Sequence, residues 1–236
     1  MTFKGWRKTS LLEYPDRISS VLFVGGCNFR CPFCYNPPLV LEAESIPDLG
    51  AEAVLGYLAE NRRLYQAVVV SGGEPTLHPG LGGFLERVGE LGLERGLQTN
   101  GSRPEVLRDL LGRSAVDYVA MDVKAPLDWE AYRRAAGLTE AQRGLFEKVR
   151  ESVELLRSAP VRVELRCTVV PGLHGEEDLV RLAGQLAGAP RFALQAFRPG
   201  RALDPALAGA AACPPELLER AAVRVRGLFS SFEIRT

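Results

Sequence analysis

The sequence lacks long apolar segments, carries no excess charge of either sign, and contains little lysine. No apolar run approaches the roughly 20 residues that a membrane-spanning helix needs, so we expect no membrane partner. Acidic and basic residues balance at 29 each. No block of lysine and arginine stands out, so we also expect no nucleic-acid partner, since nucleic acid is attracted by a basic patch.

With 46% hydrophobic and 25% charged residues, the 236-residue chain has the composition of an ordinary soluble globular protein. No internal repeat or linker divides the chain, so we predict a single domain over residues 1–236. Met1 leads into a polar segment rather than a secretory signal peptide. This predicts a cytoplasmic location, in a reducing compartment where thiolates survive.

Three of the five cysteines, Cys27, Cys31 and Cys34, lie in one short segment. Structural zinc sites and most iron–sulfur clusters have four protein ligands, whereas a site that performs chemistry keeps one position open. Three thiolates therefore predict a metal centre with an open position for a substrate or cofactor. The other two cysteines, Cys167 and Cys213, each stand alone and are expected to be unreactive thiols.

Two simpler explanations for the three cysteines are a structural zinc site and a disulfide. Zinc would need a fourth ligand, and the two histidines, His78 and His174, are distant in the sequence. A disulfide is disfavoured because the number of cysteines is odd and no secretory segment is present. The spacing Cys-x3-Cys-x2-Cys also differs from the paired cysteines of zinc knuckles and from the four-cysteine runs of ferredoxins. Zinc remains the alternative to an iron–sulfur cluster.

Short β-rich runs alternate with longer amphipathic segments, a pattern typical of βα units around parallel strands. Six units are too few to close an eight-stranded barrel, so we predict an α/β fold whose parallel strands have their helices outside. Residues 202–212 indicate a loop or a loose helix. The predicted strands are residues 18–24, 67–70, 93–98, 116–121, 161–170 and 192–197. One predicted helix begins at residue 47, and the others span residues 81–91, 104–111, 139–156, 176–187 and 216–228.

The polar motifs follow the carboxyl ends of the predicted strands, where the chemistry of such folds collects. Gly72, Gly73 and Glu74 follow the second strand. Backbone without a Cβ atom can approach a ligand closely, while Glu74 offers a carboxylate to an ammonium group. Thr99 and Asn100 form a turn after the third strand. These loops are the first candidates for a cofactor site.

Asp122 and Lys124 flank one residue at the end of the fourth strand, so both side chains point to the same side and can hold a zwitterion. The chain has four lysines and twenty-five arginines, so a lysine at position 124 is not simply the basic residue that this chain uses most often. An exposed ion pair is the simpler explanation. Arg166 lies on the fifth strand and faces inward if Val163 and Leu165 alternate with it. There it could meet a carboxylate, although an arginine that faces solvent is the commoner outcome.

The segment CNFRCPFC, followed by Tyr35 and Asn36, resembles the cluster loop of the radical S-adenosylmethionine (radical SAM) enzymes. The resemblance implies a [4Fe–4S] cluster held by Cys27, Cys31 and Cys34. The fourth iron would be chelated by the amino and carboxylate groups of S-adenosyl-L-methionine. The resemblance also implies the partial (β/α)6 TIM-like barrel on which this superfamily is built.

The same resemblance assigns cofactor-binding roles to residues in several loops. Residues 72–74 resemble the family's Gly-Gly-Glu motif, and Asp122 with Lys124 resembles the Asp-x-Lys motif of glycyl-radical-enzyme activases. In related enzymes an aromatic ring after the third cysteine lies near the adenine, although the rings here could also belong to the core. The cofactor-binding residues implied in this way are Phe33, Tyr35, Gly72, Gly73, Glu74, Thr99, Asn100, Asp122, Lys124 and Arg166.

Six segments narrow the resemblance to the activating proteins of anaerobic ribonucleoside-triphosphate reductase. The segments similar to those proteins are KTSLLEYP, CNFRCPFCYNP, SGGEP, QTNG, MDVKAP and LQAFRP. The similarity extends over nearly the whole chain. Three positions depart from the pattern of activases. Tyr35 replaces a histidine beside the cofactor, Gln98 replaces the aspartate of a monovalent-cation site, and Arg198 replaces a histidine of the sixth-strand loop.

The reaction implied by the resemblance begins with an electron from a flavodoxin or ferredoxin. Reductive cleavage of the cofactor gives a radical that removes a hydrogen atom from a glycine of the partner enzyme, here anaerobic ribonucleoside-triphosphate reductase. Two alternatives stay open. One is a small-molecule enzyme resembling 7-carboxy-7-deazaguanine synthase, and the other is a metal-binding interaction module without catalytic activity.

Overall fold

A computed structural model describes all residues from 1 to 236. The strands are β1 (Thr2–Phe3), β2 (Gly5–Ser10), β3 (Ser19–Val24), β4 (Leu49–Gly50), β5 (Ala67–Gly72), β6 (Glu94–Thr99), β7 (Tyr118–Asp122), β8 (Arg162–Val169), β9 (Arg191–Ala196) and β10 (Ser231–Arg235). The helices are α1 (Pro37–Leu41), α2 (Ala51–Glu60), α3 (Leu81–Glu90), α4 (Pro104–Gly112), α5 (Trp129–Ala136), α6 (Arg143–Arg157), α7 (Glu176–Leu186), α8 (Pro205–Ala208) and α9 (Pro215–Val225). None of these helices combines the length and the apolar character needed to cross a bilayer.

One sheet runs through the molecule in the order β10-β9-β8-β7-β6-β5-β3-β2. All neighbouring strands in it are parallel except β2, which pairs antiparallel with β3. The two end strands do not pair with each other, so the sheet stays open. This is the α/β architecture of a partial TIM-like barrel, and it confirms the predicted fold class.

The two faces of the sheet differ in character. On the face covered by helices, one core joins 52 buried hydrophobic residues, whereas the inner face has an apolar cluster of only 6. Tyr14, from the loop between β2 and β3, enters this inner cluster and packs on Tyr118 at 4.8 Å between ring centroids. A Cβ atom on Gly96 would lie 3.1 Å from the Tyr14 ring, so the missing side chain makes room for it. The rest of the inner face is available to polar side chains.

All six predicted strands are present, as β3 and β5 to β9. The sequence patterns missed β2 and β10, which are the half-exposed edge strands and lack a continuous apolar run. They also missed α5, a short helix whose residues are polar on average. The predicted start of α2 at residue 47 is wrong: Leu49 and Gly50 pair with Phe3 and Thr2, and the helix begins at Ala51.

Candidate functional site

The three clustered cysteines lie in the loop after β3, which we call the cluster loop (residues 25–36). Cys31 is buried, and burial raises the pKa of its thiol to about 12. Burial also raises the pKa of Cys27. No three histidine, cysteine, aspartate or glutamate side chains are placed to share one metal ion. Three thiolates on one loop are the donor type that iron–sulfur clusters take.

Helix α5 fixes the position of the cluster loop. The helix ends at Gly137, whose φ of 63° places it in the left-handed region. A Cβ atom there would lie 2.0 Å from the carbonyl oxygen of Arg30. The Arg30 amide donates to the Ala136 carbonyl at 3.0 Å, and the same carbonyl lies 3.7 Å from Cys31 Sγ. An element that the sequence did not reveal therefore positions the most buried of the three clustered cysteines.

The predicted Gly-Gly-Glu motif lies directly against the cluster loop. A Cβ atom on Gly73 would lie 1.8 Å from the carbonyl oxygen of Gly26, and one on Gly72 would lie 2.4 Å from the Val24 amide nitrogen. Gly72 also has a φ of 117°, which favours glycine. The Glu74 amide donates to the Gly26 carbonyl at 2.8 Å. The absence of side chains at both glycines thus brings two predicted binding loops into backbone contact.

Glu74 is fully buried and links its own loop to the turn after β6. One carboxylate oxygen accepts from the amide and hydroxyl of Thr76 and from the hydroxyl of Thr99, while the other accepts from the Asn100 amide at 2.7 Å. Burial raises the pKa of this carboxyl, and the hydrogen bonds oppose that rise. Because Glu74 has no exposed surface, its carboxylate acts here as a link between the two loops.

Asp122, Lys124 and Arg166 meet at the carboxyl ends of β7 and β8 and form what we call the cationic triad. Arg166 Nε donates to one oxygen of Asp122 at 2.8 Å, and Lys124 Nζ donates to the other at 3.2 Å. Burial alone would raise the pKa of Asp122, but the two cations outweigh it and hold that pKa below its ordinary value. Two cations face one carboxylate, so the triad carries a surplus positive charge that suits an anionic ligand group.

The inward orientation predicted for Arg166 agrees with the structure. Its side chain reaches Asp122, while Val163 and Leu165 belong to the core under the helices. Lys124 is held through its backbone as well, because its carbonyl accepts from His174 Nε2 at 2.8 Å. The other ring nitrogen of His174 accepts from the Val170 amide, which fixes the neutral tautomer.

Both histidines, left without a role by the sequence, support the site. His78 Nε2 donates to the Gly25 carbonyl of the cluster loop at 2.9 Å, and His174 holds the backbone of Lys124. Neither contact could be inferred from spacing, because the partners are 53 and 50 residues away. The two isolated cysteines, Cys167 and Cys213, are buried, as unreactive thiols would be.

The two aromatic residues of the cluster loop have different surroundings. Phe33 is buried, and its ring lies 6.5 Å from that of His174, so core packing accounts for its position. Tyr35 is 56% exposed and remains available to cover a ligand. Gln98, at the position of the expected aspartate, accepts from the Ser71 hydroxyl and donates to Glu13, each at 2.7 Å. It acts here as a link between β5, β6 and the N-terminal segment.

A known protein family matches most of this chain. The sequence profile of the radical SAM superfamily matches residues 21–183, a span that contains the three cysteines, the Gly-Gly-Glu motif and the cationic triad. The chain belongs to the radical SAM superfamily. Enzymes of this superfamily use a [4Fe–4S] cluster and S-adenosyl-L-methionine, and these are the cofactors of this radical SAM enzyme.

Three relatives illustrate the breadth of the superfamily around this radical SAM enzyme. A Methanocaldococcus jannaschii protein named "Putative glycyl-radical enzyme activating enzyme" is 33% identical over 196 residues, which cover 83% of this chain and 79% of the relative. The pyruvate formate-lyase-activating enzyme of Clostridium pasteurianum is 29% identical over 70% of this chain and 67% of its own. The 7-carboxy-7-deazaguanine synthase of Hyperthermus butylicus is 34% identical over 48% of this chain and 51% of its own.

Among solved structures, Streptococcus suis SuiB bound to S-adenosylmethionine superposes with a TM-score of 0.65 and 14% identity. The match covers 92% of this radical SAM enzyme and 52% of SuiB. At that identity the likeness shows the fold alone. It supports a partial barrel of the radical SAM type over nearly the whole chain.

Proposed function

We propose that this radical SAM enzyme is an activase that installs a glycyl radical on a partner enzyme. The observation that carries the proposal is the 33% identity over 83% of the chain with a relative named for that activity. The similarity to a pyruvate formate-lyase-activating enzyme supports the same class of partner. The activity is assigned to residues 1–236 acting as a single radical SAM domain.

Within this class, the partner that we propose is anaerobic ribonucleoside-triphosphate reductase. Support comes from the N-terminal segment KTSLLEYP together with the motifs MDVKAP and LQAFRP. A flavodoxin or ferredoxin would deliver the electron, in the cytoplasm where such donors operate. Nothing in the charge balance of the chain favours a nucleic-acid substrate.

The residues of this chain suit that chemistry. Cys27, Cys31 and Cys34 would hold the cluster, which together with S-adenosylmethionine supplies a radical able to abstract hydrogen. The surplus cation of the triad would bind the cofactor carboxylate. The loop that contains Glu74 would present backbone carbonyl acceptors to the cofactor ammonium. The open sheet leaves room for a protein segment to approach.

The decisive experiment combines anaerobically reconstituted enzyme, dithionite, S-adenosylmethionine and the candidate reductase, followed by electron paramagnetic resonance. A glycyl doublet that needs all four components supports the proposal. Cys31→Ala is the control: it should be colourless, contain no inorganic sulfide and give no doublet. A brown, cofactor-cleaving native protein that never yields the doublet with the reductase would refute the assignment of the partner.

The second candidate function is that of a small-molecule enzyme. The 34% identity with a 7-carboxy-7-deazaguanine synthase favours it, although that match covers only 48% of the chain. Turnover of a pterin substrate without any protein partner would establish this alternative. A zinc-binding module, in contrast, would purify with zinc, without colour, and would leave S-adenosylmethionine intact.

A further inference from the structure

The side chain of Asn100 belongs to a closed ring of hydrogen bonds beside the cluster loop. Its Oδ1 accepts from the Ser102 amide at 2.9 Å, and its Nδ2 donates to Asn28 Oδ1 at 2.9 Å. Asn28 Nδ2 in turn donates to the Ser102 hydroxyl at 2.8 Å. Asn28 follows the first clustered cysteine, so this ring joins the turn after β6 to the cluster loop.

The ring also fixes which way the Asn100 amide points. A backbone N–H can only donate, so the atom that faces the Ser102 amide must be the carbonyl oxygen of Asn100. The opposite atom is therefore the NH2 group, which has two hydrogens. One of them goes to Asn28, and the other faces Cys27 Sγ at a nitrogen–sulfur distance of 3.8 Å.

The clustered cysteines consequently have different electrostatic surroundings. Cys27 Sγ faces two N–H donors, the Phe29 amide at 3.4 Å and Asn100 Nδ2 at 3.8 Å. Cys31 Sγ instead has the carbonyl oxygen of Ala136 at 3.7 Å. Donors near a cluster sulfur favour the reduced cluster because they stabilise its additional negative charge. The amide of Asn100 is positioned to act in this way.

We propose that Asn100 is a positioning residue for the cluster, whose amide donates to the Cys27 thiolate and raises the reduction potential. With both hydrogens engaged within the protein, its NH2 group contacts the cluster side of the site rather than S-adenosylmethionine. The proposal depends on the three cysteines being the cluster ligands. It does not depend on the identity of the partner, so its failure would leave the activase proposal intact.

The test is a redox titration of the reconstituted enzyme, without any partner, followed by electron paramagnetic resonance. Asn100→Ala should shift the midpoint potential to a more negative value. Ser102→Ala is the matched control, because it opens the ring at Asn28 but keeps the Ser102 amide that orients Asn100. Its midpoint should equal that of the native enzyme. An unchanged midpoint in Asn100→Ala, or an equal shift in both variants, would overturn the proposal.

A second measurement does not use Asn100→Ala and covers the case in which that variant fails to assemble a cluster. Native enzyme labelled with 15N in the asparagine side-chain amides is reduced, and hyperfine spectroscopy detects 15N coupled to the cluster. We expect a coupling in the native enzyme and in Ser102→Ala. The absence of any coupling in the labelled native enzyme would refute the hydrogen bond.

Discussion

Two charge networks line the inner face of the barrel, and they differ in balance. The cationic triad has two cations and one carboxylate. The second network, which we call the balanced network, has two of each: Glu164, Glu233, Arg191 and Arg235. Arg235 meets both oxygens of the fully buried Glu164 at 2.8 Å, and Arg191 Nε lies 2.7 Å from one of them.

The difference separates structural charges from charges that are suited to bind a ligand. In the balanced network every cation already has carboxylate partners, and it joins β8, β9 and β10 at one end of the sheet. In the cationic triad, Lys124 and Arg166 share one carboxylate, so an anionic ligand would balance the remaining positive charge. Removing a partner should therefore affect stability in the first network and cofactor affinity in the second.

The largest expected effect comes from Glu164→Gln, which leaves two arginines with one carboxylate. Removing one partner from a buried ion pair costs about 3–5 kcal/mol of unfolding free energy. Urea unfolding measures this loss. Glu233→Gln is the control, since that side chain is 39% exposed and should cost about 1 kcal/mol or less. Equal losses in the two variants would mean that burial does not distinguish the two carboxylates.

Lys124→Ala should act on binding instead. Losing one charge-assisted contact is worth about 1.5–3 kcal/mol, which corresponds to a roughly 10- to 150-fold weaker affinity for S-adenosylmethionine. Iron and sulfide contents should not change, and Asp122 keeps Arg166 as its partner. Anaerobic calorimetry of the reconstituted enzyme measures the affinity. If the variant loses its cluster, the assignment of Lys124 as a cofactor contact is wrong.

The smallest expected effect concerns His174, which holds the backbone of Lys124. Burial lowers its pKa, opposed by the Lys124 carbonyl and Asp178 and reinforced by Arg134. A lowered pKa in the folded state means that the unfolded chain takes up the proton first, so stability falls as the pH drops below about 6.5.

For this one group the slope cannot exceed about 1.4 kcal/mol per pH unit. Unfolding free energies of the native protein and of His174→Gln, compared between pH 7.5 and pH 5.5, measure the effect. The variant should be less stable at neutral pH and should depend less on pH. Identical pH dependence in both proteins would remove His174 as the source.

Local motifs were predictable from the sequence, whereas contacts between distant segments were not. Cysteine spacing, two glycines before a glutamate, and Asp122 with Lys124 are all visible within a few residues. The ion pair between Arg166 and Asp122 forms only if Arg166 faces inward. The alternation of apolar and polar residues along β8 indicated that orientation. The links from Glu74 to Thr99 and Asn100 span 25 and 26 residues and became visible only once β5 and β6 were neighbours.

Helix α5 shows why the remainder escaped prediction. Its eight residues are mostly polar or small, and its function at the site comes from where it ends. Gly137 appears in the sequence as one of 24 glycines, with nothing to indicate its contact with Arg30. The contact between the end of this helix and a distant loop exists only in the tertiary structure. Composition and periodicity therefore cannot predict it.

The hydrogen bonds of Glu74 have a consequence for how a ligand would be received. Because that carboxylate already joins two loops, both loops are held in place before any small molecule binds. Little ordering entropy of these loops then has to be offset on binding. The two loops are preorganised.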